Sequence, residues 1–142
     1  MTEEDAYIAI NSAMTRLMRQ IRRVDDRQGV RRARLSALAV LHFGGASSLT
    51  ELAKAELVSR ATMHHIVTGL EGDRLVARKT DPDDGRRQIV SLTAKGRRTI
   101  LAAHAARIDY LAALADGLSP TDLAVTAKTM LELRDAAALK PL

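Results

Sequence analysis

The chain contains no cysteine, which removes disulfides, thiolate zinc sites, cysteine nucleophiles and thiol redox sensing together. Aromatic residues are nearly missing too: Tyr7, Phe43 and Tyr110 are the complete set. A core built without them must be Ala, Leu, Ile, Val and Met, a palette that favours helices over sheets. Only 3 prolines interrupt the chain, so a mostly helical protein is expected. No apolar run approaches the ~20 residues that a membrane span needs. The N-terminus, Met1-Thr2-Glu3-Glu4-Asp5, is acidic where a signal peptide is basic. A cytoplasmic protein without membrane contact is therefore expected. The signatures of enzymes are missing as well: there is no Gly-rich phosphate loop, no His-x-x-Glu-His and no pair of carboxylates facing a histidine. No catalytic residue, cofactor or metal site is assigned.

What is present is a chain of 142 residues, 46% hydrophobic, which suits one domain with a packed core. Its 22 Lys and Arg outnumber 17 Asp and Glu, and the isoelectric point is about 10.1. A basic balance in a small protein points to a polyanionic partner, nucleic acid ahead of an anionic membrane surface.

Thr2 followed by Asp5 resembles a capping box. Behind it Tyr7, Ile10, Met14, Leu17, Ile21 and Val24 recur every three or four residues, one stripe on a helix over about 3–24. A loop follows, then a helix over about 31–42 with Leu35, Leu38 and Leu41 on one face and Gly44-Gly45 as its stop. Thr50 is placed as the cap of a short helix to Glu56, and Ser59 as the cap of another to about Gly72. The period then changes to two. Residues 75–78 and 88–92 read as strands joined by the turn-rich run Asp81-Pro82-Asp83-Asp84-Gly85. Thr93 caps a long helix carrying Leu101, His104, Ile108, Leu111, Ala115 and Leu118. Ser119-Pro120-Thr121-Asp122 opens the last helix, with Ser119 as cap and Pro120 at the first position. The expected order is α-α-α-α-β-β-α-α.

Two short helices joined by a tight turn, followed by a hairpin, form a winged helix-turn-helix. A helix fits the major groove of DNA, and its solvent face then reaches base edges. On the helix that starts after Ser59, that face shows Arg60, Thr62, His64, His65 and Thr68, with no acidic residue before Glu71. In the hairpin, Gly85 beside Arg86 and Arg87 suits a loop entering a minor groove, whose potential attracts a guanidinium. The aspartates Asp81, Asp83 and Asp84 do not match a calcium loop, which needs Gly at its sixth position and Glu at its twelfth, where Arg86 and Leu92 stand. Pairing of one or more of these carboxylates with a wing arginine, fixing its direction, is the better reading.

Several of these segments resemble the MarR family of transcriptional regulators: Leu35 to Leu41, Glu51-Leu52-Ala53, Val58 to Met63, Leu75-Val76, and Asp81 to Arg87 running on to Ser91-Leu92-Thr93. The wing motif, an Asp-x-Arg core closing on Leu-Thr, is the most specific of them. The resemblance implies a single MarR-type domain over 1–142, mainly α with a small β-hairpin. Its winged helix-turn-helix lobe would cover about 31–93, and its dimerisation helices about 3–24 and 94–139. It implies a homodimer whose paired recognition helices enter successive major grooves of a pseudo-palindromic operator. It places Ser59, Arg60, Thr62, His64 and His65 against DNA, Arg86 at the wing tip beside Arg87, and Asp84 as the partner that orients Arg86. It also implies a ligand-responsive repressor with a pocket for a small anionic or aromatic effector. The competing reading is an architectural or accessory DNA binder without an effector.

Two departures from the family pattern stand out. The helix-turn-helix turn commonly has Gly where this chain has Leu57, and a Gly before the first wing strand is replaced by Arg74. Both positions often favour a left-handed backbone, so strain or an altered turn is expected there.

Independently of the resemblance, the stripes of the terminal helices are narrow and heptad-like, the pattern of helix-on-helix association between chains; packing of the first helix on the fifth within one chain is the alternative. Between Arg16 and Arg34 eight arginines face only Asp25 and Asp26, either a rim for phosphates or an anionic effector, or a solvated face. His64 and His65 are adjacent and point about 100° apart on a helix, so they do not share a metal. His42 and His104 read as hydrogen-bonded edge or interior histidines.

Overall fold

A computed structural model describes residues 1–140 and Leu142. The chain forms two compact units, residues 1–107 and 108–142.

In the first unit, α1 (Glu3–Asp26) opens on the capping box of Thr2 and Asp5. Its apolar stripe is largely uncovered. Tyr7, Ile10, Met14 and Leu17 are exposed, and among the stripe only Ile21 is buried. The following α2 (Arg32–Gly44) buries Leu35, Leu38 and Leu41 and stops at Gly45, whose φ of 78° lies in the left-handed region. A two-residue strand not expected from the sequence, β1 (Ser47–Ser48), leads into α3 (Leu49–Ala55). The cap of α3 is Ser48 in place of Thr50. The Ser48 hydroxyl accepts from the Glu51 amide at 3.1 Å, and the Glu51 carboxylate accepts from the Ser48 amide at 3.2 Å. The Ser-x-x-Glu spacing of a capping box decides this, because it satisfies two orphan amides where Thr50 would satisfy one.

Ser59 caps α4 (Arg60–Gly72) as expected, accepting from the Thr62 amide at 3.0 Å. Met63, Val67 and Leu70 form its buried face. The wing strands are longer than the sequence suggests: β2 (Val76–Asp81) and β3 (Asp84–Leu92) pair antiparallel, and β1 adds to the far edge of β3, giving the order β1-β3-β2. The small hairpin thus becomes a three-stranded sheet. Thr93 caps α5 (Ala94–Leu114) through the Gly96 amide.

Fifteen buried side chains from α2, α3, α4, the strands and α5 form one core, all of them aliphatic or Met. Each Leu buried here is worth roughly 1.5–3 kcal/mol. Gly96 lies where α5 touches the segment before β2: a Cβ there would stand 1.9 Å from the Leu75 carbonyl oxygen. Thr93 holds this contact closed, its amide donating to the Leu75 carbonyl at 3.1 Å and its hydroxyl to that of Arg74 at 2.6 Å. At the end of α1, Asp25 is buried and accepts from Nε and Nη2 of Arg107, each at 2.6 Å. This pair holds the guanidinium above its usual proton affinity, chiefly through the hydrogen bonds.

The second unit holds the last turns of α5 and then α6 (Pro120–Leu139). Ser119 caps α6 through the Asp122 amide, with Pro120 in its first turn. No residue of α6 is buried. Leu123, Val125, Met130, Leu131 and Leu133 stand exposed along it.

Candidate nucleic-acid interface

The turn between α3 and α4 places the N-terminus of α4 outward. It is made with Leu57 at φ 56°, and the turn after α4 with Arg74 at φ 60°. The two positions where glycine was missed are thus the chain's only left-handed non-glycine residues among those described. The chain keeps the backbone and accepts the strain, about 1–2 kcal/mol for each residue with a Cβ. The Leu57 side chain, 92% exposed, gains nothing from packing in return.

On α4, Ser59 and Thr62 bond each other through their hydroxyls at 2.9 Å, so both serve the helix cap. Arg60, His64 and His65 are exposed on the same helix. Across from them the wing folds in an irregular way. The β2–β3 register runs regularly from Val76 opposite Leu92 to Thr80 opposite Gln88, then jumps to Asp81 opposite Asp84. Gly85, Arg86 and Arg87 are left without partners in β2, the geometry by which a bulge re-aims a side chain. Two aspartates shape the tip through the backbone: Asp81 accepts from the Asp83 amide at 2.9 Å, and Asp84 from the Arg86 amide at 3.0 Å. Asp84 therefore holds Arg86 by its main chain, where a contact with its guanidinium was expected. The carboxylate that meets a wing guanidinium is Asp81, 3.5 Å from Arg87, joined by Glu51 at 2.6 Å.

This separates the arginines. Arg87 ties the wing to α3 and is largely neutralised. Arg60 and Arg86 enter no ion pair among the described residues. Both line an open groove of about 480 Å³ between α3, α4 and the wing, together with Glu51, Asp84, Arg87 and Gln88. Two unpaired guanidiniums at one groove, beside a helix N-terminus, make a site for anionic oxygens.

The residue missed in the sequence is Arg78 of β2. Its side chain is 11% exposed and its guanidinium reaches back to α4, meeting His64, Thr68 and Glu71. The two-residue strand period carried the signal, since it puts Arg78 on the same face as buried Val76. On another side of α4, the Arg34 guanidinium occupies the space a Cβ at Gly69 would fill and pairs with Asp73 at 2.9 Å.

A second concavity, of about 470 Å³, is lined by Leu41, His42, Ser91, Leu92 and Arg97. Beside it Phe43 stacks on His104, their ring centroids 5.1 Å apart, and His42 meets both rings edge-on. Burial, and then the charges of Arg107 and His42, push the His104 imidazole below its usual 6.5, with Asp25 opposing. No three metal-ligating side chains converge among the described residues, and no described helix is long and apolar enough to cross a membrane.

Comparison with known proteins places this geometry. A profile described as MarR family matches residues 28–87. An uncharacterized HTH-type transcriptional regulator of Mycobacterium leprae is 34% identical over 113 residues, covering 78% of this chain and 79% of that protein. Among solved structures, a MarR family protein from Bacillus stearothermophilus superposes with a TM-score of 0.86 at 20% identity, over 97% of this chain and 99% of the other. BpsR of Bordetella bronchiseptica, solved to explain regulation of its DNA binding by 6-hydroxynicotinic acid, matches with a TM-score of 0.66 at 21% identity, over 89% of this chain and 98% of its own.

Proposed function

Starting from the fact that the chain belongs to the MarR family and is a winged helix-turn-helix transcriptional regulator, we propose that it acts as a homodimeric repressor of a pseudo-palindromic operator, released by a small ligand. The observation that carries the DNA-reading part is the groove shared by Arg60 and Arg86, the two arginines of the site that no carboxylate neutralises. In this reading α4 enters the major groove, with Arg60, His64 and His65 toward base edges and phosphates, and Ser59 and Thr62 at the helix start. Arg86 enters the flanking minor groove, and Arg87 with Asp84 shapes the wing that carries it. The uncovered apolar residues of α1, α5 and α6 support a second copy as the partner. A dimer would present two recognition helices about 34 Å apart, one turn of DNA. For the effector, the support is the concavity at His42 and Arg97, with Phe43 and His104 beside it: one cation and an aromatic cluster suit a small aromatic acid.

The test is selection of duplexes from a random pool, followed by titration of the selected site. An inverted repeat is expected. Arg86→Ala should weaken binding about tenfold and lower the salt dependence by about one phosphate equivalent, with the mass of the protein unchanged. Equal binding of all duplexes would favour an accessory DNA binder, and unchanged affinity of Arg86→Ala would remove the wing from the site.

A further inference from the structure

Arg78 of β2 reaches α4 through both arms of its guanidinium. One arm, Nη1, donates to His64 Nδ1 at 3.1 Å and to Gln88 Oε1 at 3.4 Å. The other, Nη2, donates to Thr68 Oγ1 at 3.0 Å and lies 3.6 Å from Glu71 Oε1. The Thr68 hydroxyl spends its own proton on the His64 carbonyl at 2.8 Å. A guanidinium has five donors and no acceptor. His64 Nδ1 must then be the acceptor of that contact, and the single proton of the neutral ring is assigned to Nε2. The ring thereby offers solvent a donor at Nε2 and nothing else.

We propose that Arg78 is a positioning residue for DNA recognition: it locks His64 as a fixed hydrogen-bond donor on the recognition helix, so that the base His64 meets must offer an acceptor. Guanine N7 and O6, adenine N7 and thymine O4 satisfy that donor in the major groove, whereas cytosine presents only its amino group. His64 thus selects against cytosine. The same contacts remove Thr68 as a donor to bases, since its proton goes to the helix and Arg78 takes one lone pair of its oxygen. The proposal rests on α4 being the DNA-reading helix.

Two measurements on the full chain test it. Long-range ¹H–¹⁵N spectra of the protein labelled at its histidine rings, with the His64 signals identified by their loss in His64→Gln, should show the Nε2–H form alone. An Nδ1–H ring in the native protein would overturn the proposal without any reference to DNA. Selection from random duplexes is then run for the native protein, His64→Ala and Arg78→Lys. The position whose preference His64→Ala abolishes should exclude cytosine about tenfold in the native protein. Arg78→Lys keeps the charge but not the fork, so it should reduce that exclusion to under about threefold while leaving the affinity for unrelated DNA and its salt dependence unchanged. Selection of cytosine there, no position responding to His64→Ala, or full discrimination in Arg78→Lys would each overturn it. Failure of the native protein to select any sequence would instead count against the repressor reading, and the ring spectrum would still decide the tautomer. Should Arg78→Lys not fold, the native spectrum and native selection suffice.

Discussion

The region from α2 to the start of α5 and the helix α6 are both rich in apolar residues, α6 the richer, and have opposite fates. The first closes a core of fifteen side chains, aliphatic but for Met63; the second buries none of its own. The difference lies in periodicity and connection. Short elements with sharp, well-capped turns fold their apolar faces onto one another, whereas a long helix with apolar residues spread along its length needs another surface to cover them. The lobe is therefore complete in one chain, and the apolar side chains of α6 stand uncovered.

The comparison can be broken most severely at Gly96. Gly96→Ala sets a Cβ against the Leu75 carbonyl, so we expect a loss of at least about 3 kcal/mol in chemical denaturation, well beyond the gain in helix propensity. Little change would mean that α5 is not pinned to the lobe there. Next in size is the double change Leu123→Glu and Met130→Glu, seven residues apart on α6. It should raise the dissociation constant of a dimer by tenfold or more and leave the far-ultraviolet spectrum of the lobe intact; an unaltered sedimentation profile would separate α6 from association. Smaller and opposite in sign is Leu57→Gly. The left-handed backbone at Leu57 and its exposed side chain predict a gain of about 1 kcal/mol in stability, and a loss would show that the leucine is packed after all.

The smallest effect concerns pH. His104 is held below its usual 6.5 in the folded chain, so the unfolded chain takes up the proton first as pH falls. Its contribution is fully present above 6.5 and is lost as pH drops from there toward the depressed value. Thermal unfolding followed between pH 8 and 5 should show this decline, shallower in His104→Gln. A midpoint that rises on acidification would contradict the assignment.

Much of the lobe was legible residue by residue. Ser59, Thr93 and Ser119 announce helix starts because a cap needs a short polar side chain next to an apolar period. Leu35, Leu38 and Leu41 announce a buried face by spacing alone. Leu57 and Arg74 were legible as strained positions only against a family pattern. The cap of α3 was misplaced by two residues because Ser48 and Thr50 are both good caps, and only the Glu51 contact separates them. Within the site, the arginines were visible but not their states. Glu51, 36 positions away from Arg87, neutralises it, and no local pattern foretells a pair so distant. Asp84 was seen near Arg86 in sequence, yet it serves the amide and leaves the guanidinium free.

By itself, then, the sequence determined that this protein is helical, cysteine-free, basic and built around a helix-turn-helix with a wing, because caps, periods and composition act over a few residues. Only the tertiary structure decided which arginines remain available to an anion, that a third strand edges the wing, and that Arg78 turns inward to hold His64. Those outcomes depend on which side chains meet after the chain has folded, and the energy of a guanidinium is set by the carboxylates and ring nitrogens around it.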